Sequence, residues 1–332
     1  VIQGNYVGTN ADGDAAIPNA FSTGQFPGIL VRFGNAMIGS DGVGGNDELE
    51  RNVISGNAHE GIEIEVPGST VAGNFIGLNA QGNADLPNGS HGIRLLSGAT
   101  GTTVGGFTSI PGTGLGNVIS GNGGRGIEVE ASNTTIIGNL IGTSADGLVP
   151  FGNQYGIQVT DGDDIQIGGD DDDDAALDGV NRARNVISGN LAGVQFNGVN
   201  PTGIKLQGNY IGTNINGDQP LPNINGVNVI SSYNVTIGGT NPLAGNVISG
   251  NTASGLSILQ ADLAGQTSLV QGNIIGMTAD GLSPLGNGGR GIAVATGLAG
   301  SVTIGGGLAG AGNVISDNAQ EGIVFETGNE GH

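Results

Sequence analysis

A short phrase repeated along the chain constrains its fold more than any other feature of the sequence. Asn-Val-Ile-Ser-Gly-Asn begins at Asn52, Asn117, Asn185 and Asn246, and a variant with Asp317 in place of glycine begins at Asn313. A sister phrase, Gly-Asn-x-Ile-Gly-Thr or a close variant, alternates with it from Gly4, Gly73, Gly138, Gly208 and Gly272. Successive sister phrases are 64 to 70 residues apart. Such a fixed period is the signature of a repeat architecture.

Each half of the large period contains three short strand patterns. Residues 61–66 alternate apolar and polar side chains, as a half-buried strand does. Residues 67–69 form a turn, and residues 70–72 and 74–76 supply two further strands. Three strands per unit, glycine at the corners and no helical periodicity are typical of a parallel β-helix, in which each coil stacks on the previous one.

Alignment of the ten copies of the first strand supports this fold. The two inward positions run from Ile29 and Val31 in the first copy to Ile323 and Phe325 in the last, and all twenty are apolar. A buried face of parallel strands requires such columns. We therefore predict an all-β fold, a right-handed parallel β-helix of about ten coils with three strands per coil. We expect residues 1–332 to form one such domain of five double-coil repeats. The alternative is that these residues are a segment of a longer array.

Composition excludes several classes of function. The formal net charge of −21 disfavours nucleic acid and anionic membranes as partners. No apolar run approaches the length needed for membrane insertion. The chain has no cysteine, so disulfides and thiolate metal sites are excluded.

These repeats resemble those of the right-handed parallel β-helix proteins of the pectate-lyase-like superfamily. Within it, the chain is similar to bacterial surface or secreted proteins built from the same two phrases, and the similarity covers the whole chain. The resemblance implies the fold and an extracellular or cell-surface location in a bacterium. It leaves the activity open, because this fold serves lyases, hydrolases, epimerases and adhesins.

The two ends of the chain fit each other. The chain stops just after a first strand, and residues 1–3 read as the second strand that should follow it. Unpaired strand edges invite pairing with another chain. We expect either a segment of a longer array or protomers that associate end to end in an open, heterologous stack.

The first asparagine of each phrase forms a column of its own. We predict that these side chains build an internal ladder of amide hydrogen bonds from coil to coil, rather than a ligand-binding array. The ladder comprises Asn5, Asn52, Asn74, Asn117, Asn139, Asn185, Asn209, Asn246, Asn273 and Asn313. A second column five residues on is interpreted in the same way, with Asn10, Asn57, Asn79, Asn122, Asn190, Asn214, Asn251 and Asn318.

The residue directly after each ladder asparagine is apolar or aromatic and should face outward. These residues, here called the stripe, are Tyr6, Val53, Phe75, Val118, Leu140, Val186, Tyr210, Val247, Ile274 and Val314. The stripe is either a surface for assembly or sugar stacking, or an inner layer covered by the loop after the sister phrase. We expect the loop to cover it, since apolar loop residues recur in step with the larger stripe residues.

Charged residues gather on the outward face of the first strands. Glu63 and Glu128 should flank Arg94 on adjacent coils, about 4.8 Å from coil to coil. Two carboxylates and an arginine can bind or cleave a glycan, which makes these three the catalytic candidates. The alternative is a charge-compensated set of cross-strand pairs. We favour the charge-compensated pairs. Enzymatic activity is therefore uncertain, and its absence is the favoured interpretation.

An acidic patch interrupts the repeat in a single coil. Clustered carboxylates in a glycine-rich loop can hold Ca²⁺, although no cofactor is required by the sequence. The candidate ligands are Asp161, Asp163, Asp164, Asp170, Asp171, Asp172, Asp173 and Asp174. A solvated acidic loop, partly neutralised by Arg182 and Arg184, is the alternative.

The sequence therefore favours a structural module: an extracellular scaffold, adhesin or head-to-tail filament subunit. Its expected partners are copies of itself and surface glycans. The alternative is a polysaccharide lyase or hydrolase, or a carbohydrate-binding module without turnover.

Overall fold

The chain winds into a β-helix built from three parallel sheets. The computed structural model describes residues 1–19, 26–198, 202–260, 267–296 and 301–327. Two sheets have ten strands and the third has nine, so the described chain makes about nine complete coils with a partial coil at each end. The predicted right-handed parallel β-helix is confirmed.

The strands of each sheet come from equivalent positions in successive coils. The first sheet contains Ile29–Val31, Ile62–Ile64, Ile93–Leu95, Arg125–Val129, Tyr155–Val159, Ala192–Asn197, Asn225–Ile230, Leu256–Gln260, Ile292–Thr296 and Ile323–Thr327. The second contains Met37–Gly39, Thr70–Ala72, Thr103–Gly105, Thr135–Ile137, Gln166–Gly168, Ile204–Gln207, Val235–Gly238, Thr267–Gln271 and Ser301–Ile304. The third contains Tyr6–Val7, Val53–Ile54, Phe75–Ile76, Val118–Ile119, Leu140–Ile141, Val186–Ile187, Tyr210–Ile211, Val247–Ile248, Ile274–Ile275 and Val314–Ile315. Coils are numbered below by their first-sheet strand, from coil 1 at Ile29–Val31 to coil 10 at Ile323–Thr327.

Alternation along the first strands separates core from surface. Ile62 and Ile64 are fully buried, whereas Glu63 between them is half-buried on the outer face. The strands pair in register, so that Ile62 lies beside Ile93 and Glu63 beside Arg94. One continuous apolar core therefore runs along the inside of the rod. The described part contains a single short α-helix, Asp47–Glu50, and no helix long and apolar enough to cross a membrane.

The predicted asparagine ladder is confirmed. Each asparagine donates its side-chain N–H to the Oδ1 atom of the next, at 2.8–3.0 Å, from Asn5 to Asn313. The backbone N–H groups donate to the same Oδ1 atoms, as from Asn139 to Asn185 at 3.0 Å. The second amide proton binds a backbone carbonyl, as from Asn139 to Val104 at 3.0 Å. The ladder thus pairs buried amide groups that would otherwise be costly.

The second asparagine column was only partly predicted. Asn57, Asn122, Asn190, Asn251 and Asn318 do form a ladder, but its alternate members are Asn88, Asn153, Asn223 and Asn287. These four end the loop after the sister phrase. The predicted members Asn10, Asn79 and Asn214 instead close that loop by bonding to Asp14, Asn83 and Asp218. In alternate coils the loop after the sister phrase inserts residues before the equivalent asparagine. Counting a fixed five residues from the first ladder therefore finds the wrong asparagine.

The loops after the sister phrases form a hydrogen-bonded row outside the third sheet. Each is a tight hairpin, closed for example by a bridge between Leu78 and Asp85. Successive hairpins bond to each other, as from the Ala145 N–H to the Gly82 carbonyl at 2.9 Å. Stripe residues beneath them are buried in coils 1–5, namely Val53, Phe75, Val118, Leu140 and Val186. Loop residues Leu78, Ala145, Phe151 and Ile215 pack on that cluster, as expected from the sequence.

Replacing one ladder asparagine should weaken the whole rod. Asn139→Ala leaves the buried N–H groups of Asn117 without their acceptor, and we expect a loss of about 3 kcal/mol in the free energy of unfolding. Chemical denaturation followed by circular dichroism measures it. Asn216→Ala, in an exposed loop, is the matched control and should cost less than about 0.5 kcal/mol. Equal effects of the two substitutions would contradict a stabilising ladder.

Candidate functional site

The three catalytic candidates lie together on the outer face of the first sheet. In-register pairing places Glu63 and Glu128 on either side of Arg94. The Arg94 Nε atom lies 3.0 Å from Glu128 Oε2, and its Nη1 atom lies 3.7 Å from Glu63 Oε2. Arg94 also donates to Glu130 at 3.0 Å. The arginine on coil 3 thereby links carboxylates from coils 2 and 4.

His91 joins this cluster, which the sequence analysis did not foresee. The backbone N–H of Arg125 donates to His91 Nδ1 at 3.1 Å, so the ring proton is assigned to Nε2. That atom lies 3.2 Å from Glu128 Oε2. Burial lowers the pKa of His91, against the opposing effect of Glu128. The ring is therefore a neutral hydrogen-bond donor to the Glu128 carboxylate.

The two carboxylates have different environments. Glu128 is nearly buried and contacts three basic side chains: Arg94, His91 and, at 3.7 Å, Arg125. Burial raises the pKa of Glu63, and the negative charge of Glu60 adds to the shift. Such an asymmetry is what acid–base catalysis uses. The contacts of Glu128 also explain the cluster as a set of compensated pairs, and its catalytic role stays a prediction.

A shallow groove continues along the same face, beyond the charged cluster. One depression of about 240 Å³ is lined by Tyr155, Gln195, Asn225 and Asn228, with Leu191 and Ile224 at its edge. A second of about 540 Å³ shares both asparagines and adds Ser254, Ser257 and Leu259. It reaches Arg290, whose charge is paired with Glu326 at 2.6 Å. From coil 5 to coil 8 the lining side chains carry no carboxylate or cation. We call this stretch the neutral groove.

Polar side chains of the neutral groove have no protein partners. Across the described ranges, the amides of Gln195, Asn225 and Asn228 make no side-chain hydrogen bond, and neither do the hydroxyls of Ser254 and Ser257. Gln195 is only 7% exposed. Ladder amides in the interior are bonded to one another, whereas these groove amides face solvent and are available to a ligand. A loss of charge along the outward column was the only sequence signal for the groove.

The first group of acidic residues does not converge on one point. Asp163 accepts hydrogen bonds from the backbone and hydroxyl of Thr202 at 2.6 and 2.9 Å, and these bonds lower its pKa. Asp161 accepts from the adjacent Gly162 N–H at 2.8 Å. Asp164 adopts a positive φ of 53° at the same turn. Together they shape a corner between coils.

The second group lies at a different corner, beyond the strand Gln166–Gly168. Asp173 and Asp171 accept from Gln166 at 2.9 Å and from the Gly179 N–H at 3.1 Å. Arg182 pairs with Asp174 and Asp178, each at 2.8 Å. The remaining candidates are Asp170, which accepts from Asn241 at 3.0 Å, and Asp172, whose N–H donates to Asp170 at 2.9 Å.

These contacts give the acidic patch a structural role. In the described ranges, no group of three or more His, Asp or Glu side chains is placed to hold a metal ion. Calcium binding stays a prediction from the sequence.

Stability should depend on pH through His91, which faces Glu128, Arg125, Glu60 and Arg94. Because its folded-state pKa is lowered, the unfolded chain binds the proton more readily, and stability is lost as pH falls through about 6.5, the ordinary histidine value. Melting temperatures at pH 8 and pH 5.5 measure the loss. We expect His91→Gln to reduce this dependence relative to the wild type.

His59→Gln serves as the control for that experiment. The His59 side chain makes no hydrogen bond or ion pair with any described residue, and its replacement should leave the dependence in place. A His91→Gln protein that keeps the full loss of stability at low pH would contradict the assignment.

Comparisons with known proteins give one distant similarity. No protein-family model matches the chain, and no curated protein matches it. Among solved structures, it is similar to the Dettilon tailspike protein (gp208), with 15% sequence identity and a TM-score of 0.32. The match covers 89% of this chain and 61% of the tailspike chain. Function is therefore inferred below from the geometry of this chain alone.

Proposed function

We propose that the chain is a structural β-solenoid module of the extracellular space or cell surface, whose end coils associate with further copies of itself. The observation that carries this proposal is the unbroken regularity of the rod. The ladder and the third sheet extend from the first sister phrase to the last copy of the Asn-Val-Ile-Ser phrase, and the first sheet runs from Ile29–Val31 to Ile323–Thr327. Such a rod is a rigid scaffold or adhesin stalk.

The direction of the ladder makes the two ends complementary. Every ladder asparagine before Asn313 donates towards the next coil. In the described ranges Asn5 Oδ1 therefore accepts no hydrogen bond and the Asn313 backbone N–H donates none, while the Asn313 side chain donates only to the Val270 carbonyl at 2.8 Å. At the C-terminal end, Ile323 and Phe325 are 44% and 64% exposed although they continue the core columns. A further coil of the same kind would bond the free ladder groups and cover the exposed core residues. Either the next coil of a longer array or a second copy stacked head to tail offers one, and the second arrangement gives an open filament.

End-to-end association is tested with a charge placed in the core column of coil 10. Phe325→Asp should yield single-length rods, because a carboxylate would be buried in the contact. Val324→Asp is the matched control on the outward face of the same strand and should associate like the wild type. Electron microscopy and light scattering measure rod length, with circular dichroism to verify folding. Uniform short wild-type rods at high protein concentration would contradict the proposal.

A second function, binding of a neutral glycan, is favoured by the neutral groove. Amides and hydroxyls without protein partners can donate to and accept from sugar hydroxyls. Tyr155, Leu191 and Ile224 offer apolar surface for the faces of sugar rings. The coils repeat along the groove at about 4.8 Å, a spacing comparable to the length of one sugar unit. The lack of charge between coils 5 and 8 favours a neutral chain over an acidic one.

Glycan binding is tested with a carboxylate placed in the groove. Calorimetry with cellohexaose, laminarihexaose and mannohexaose should reveal saturable binding of at least one, with oligogalacturonate as the acidic comparison. Asn228→Asp should weaken that binding about tenfold, because it replaces a donor. Asn216→Asp makes the same change in an exposed loop and should leave affinity unchanged. Equal affinity in both variants, or a preference for oligogalacturonate, would contradict this function.

A further inference from the structure

An open cavity lies over the stripe in the second half of the rod. It has a volume of about 400 Å³ and spans coils 6–8, where Val247 is buried while Tyr210 and Ile274 are half-buried. Tyr210, Val247 and Ile274 line it, together with Ala279. The loop of residues 239–245, which directly precedes the phrase that begins at Asn246, forms its wall. The volume is that of a small-molecule site, and the lining combines apolar side chains with Arg184 and the polar residues Thr240 and Asn241.

Arg184 brings a positive charge to this cavity. Its guanidinium lies 4.1 Å from the centre of the Tyr210 ring, and Nε donates to the Gly208 carbonyl at 3.2 Å. Within the described ranges its two terminal nitrogens make no hydrogen bond, and no carboxylate pairs with them. Burial lowers the pKa of Arg184, so the charge is held at a cost. Arg184 is half-buried, and its terminal nitrogens stay accessible from the cavity, where an anion could pair with them.

A second arginine in the same structural position has carboxylates nearby, although burial lowers its pKa as well and its Nε atom has no hydrogen-bond partner among the described residues. Arg51 also precedes a ladder asparagine, and it stacks on Phe75 of the next coil at 4.1 Å. The helix Asp47–Glu50 lies just before it, and Asp47 and Glu48 act electrostatically on its guanidinium. Among the described residues, no carboxylate acts in this way on Arg184. The second site therefore has a cavity and lacks the carboxylates.

We propose that this cavity binds a small organic monocarboxylate with an apolar body. The carboxylate pairs with the Arg184 terminal nitrogens, and the body lies on Tyr210, Val247 and Ile274. A single negative charge suits the site better than several, because the chain carries a net charge of −21 and repels polyanions. This site lies on the third-sheet side of the rod, and it depends on neither end-to-end association nor glycan binding.

Calorimetry with octanoate and with 1-octanol tests the proposal. Octanoate should bind at one site per chain, and 1-octanol at least about tenfold more weakly, because it cannot pair with the guanidinium. Arg184→Gln should weaken octanoate binding by about tenfold or more. Arg51→Gln is the matched control and should bind octanoate like the wild type. A wild type that does not bind octanoate at millimolar concentration overturns the proposal, as does equal binding of 1-octanol.

A second variant keeps the test decisive if Arg184→Gln does not fold. Thr240→Asp places a carboxylate on the cavity wall. There it should attract the Arg184 guanidinium electrostatically, as Asp47 attracts that of Arg51. It should raise the melting temperature and abolish octanoate binding. Retained octanoate affinity in a folded Thr240→Asp protein, or equal losses in the Arg51 and Arg184 variants, would overturn the assignment of Arg184 as the anion partner.

Discussion

The rod depends on one interaction, the hydrogen bond from a buried asparagine amide to the asparagine of the next coil. An amide offers two donors and an acceptor, which suits a position between a coil above and a coil below. Here the acceptor serves the backbone and the side chain of the preceding asparagine, while the donors reach onward and inward. Because an unpaired buried amide is costly, each coil can dock on its neighbour in only one register.

That register converts distances along the chain into contacts across coils. Glu63, Arg94 and Glu128 are far apart in sequence, yet they adjoin because each occupies the same position in its coil. The same register places Arg51 and Arg184 against side chains of the next coil. Arg51 and Arg184 are each followed, one coil later, by an aromatic stripe residue, whereas glycine before the phrase, as at Gly116, is followed by aliphatic Leu140. An arginine before the ladder asparagine of one coil is thus matched by an aromatic stripe residue in the next coil.

Functional features lie where the outer layers depart from the repeat. The first sheet carries the charged cluster on coils 2–4 and the neutral groove on coils 5–8, although its core columns do not change. Outside the third sheet, hairpin loops cover the stripe in coils 1–5, and a cavity lies over it around coils 6–8. A solenoid tolerates such variation because each coil contacts only its neighbours. The regular interior thus supports several independent surfaces.

The sequence by itself determined the strands, the core columns, the first ladder and the adjacency of Glu63, Arg94 and Glu128. All of these follow from a period that stacking in register preserves. Only the tertiary structure decided that Asn88 belongs to the second ladder, that His91 contacts Glu128, and which polar groups lack a partner. Loops of unequal length break the period of the repeat. Side-chain pairing depends on distances in space, which cannot be read from the spacing of residues along the sequence. The unpartnered amides and Arg184 could therefore be recognised only in three dimensions.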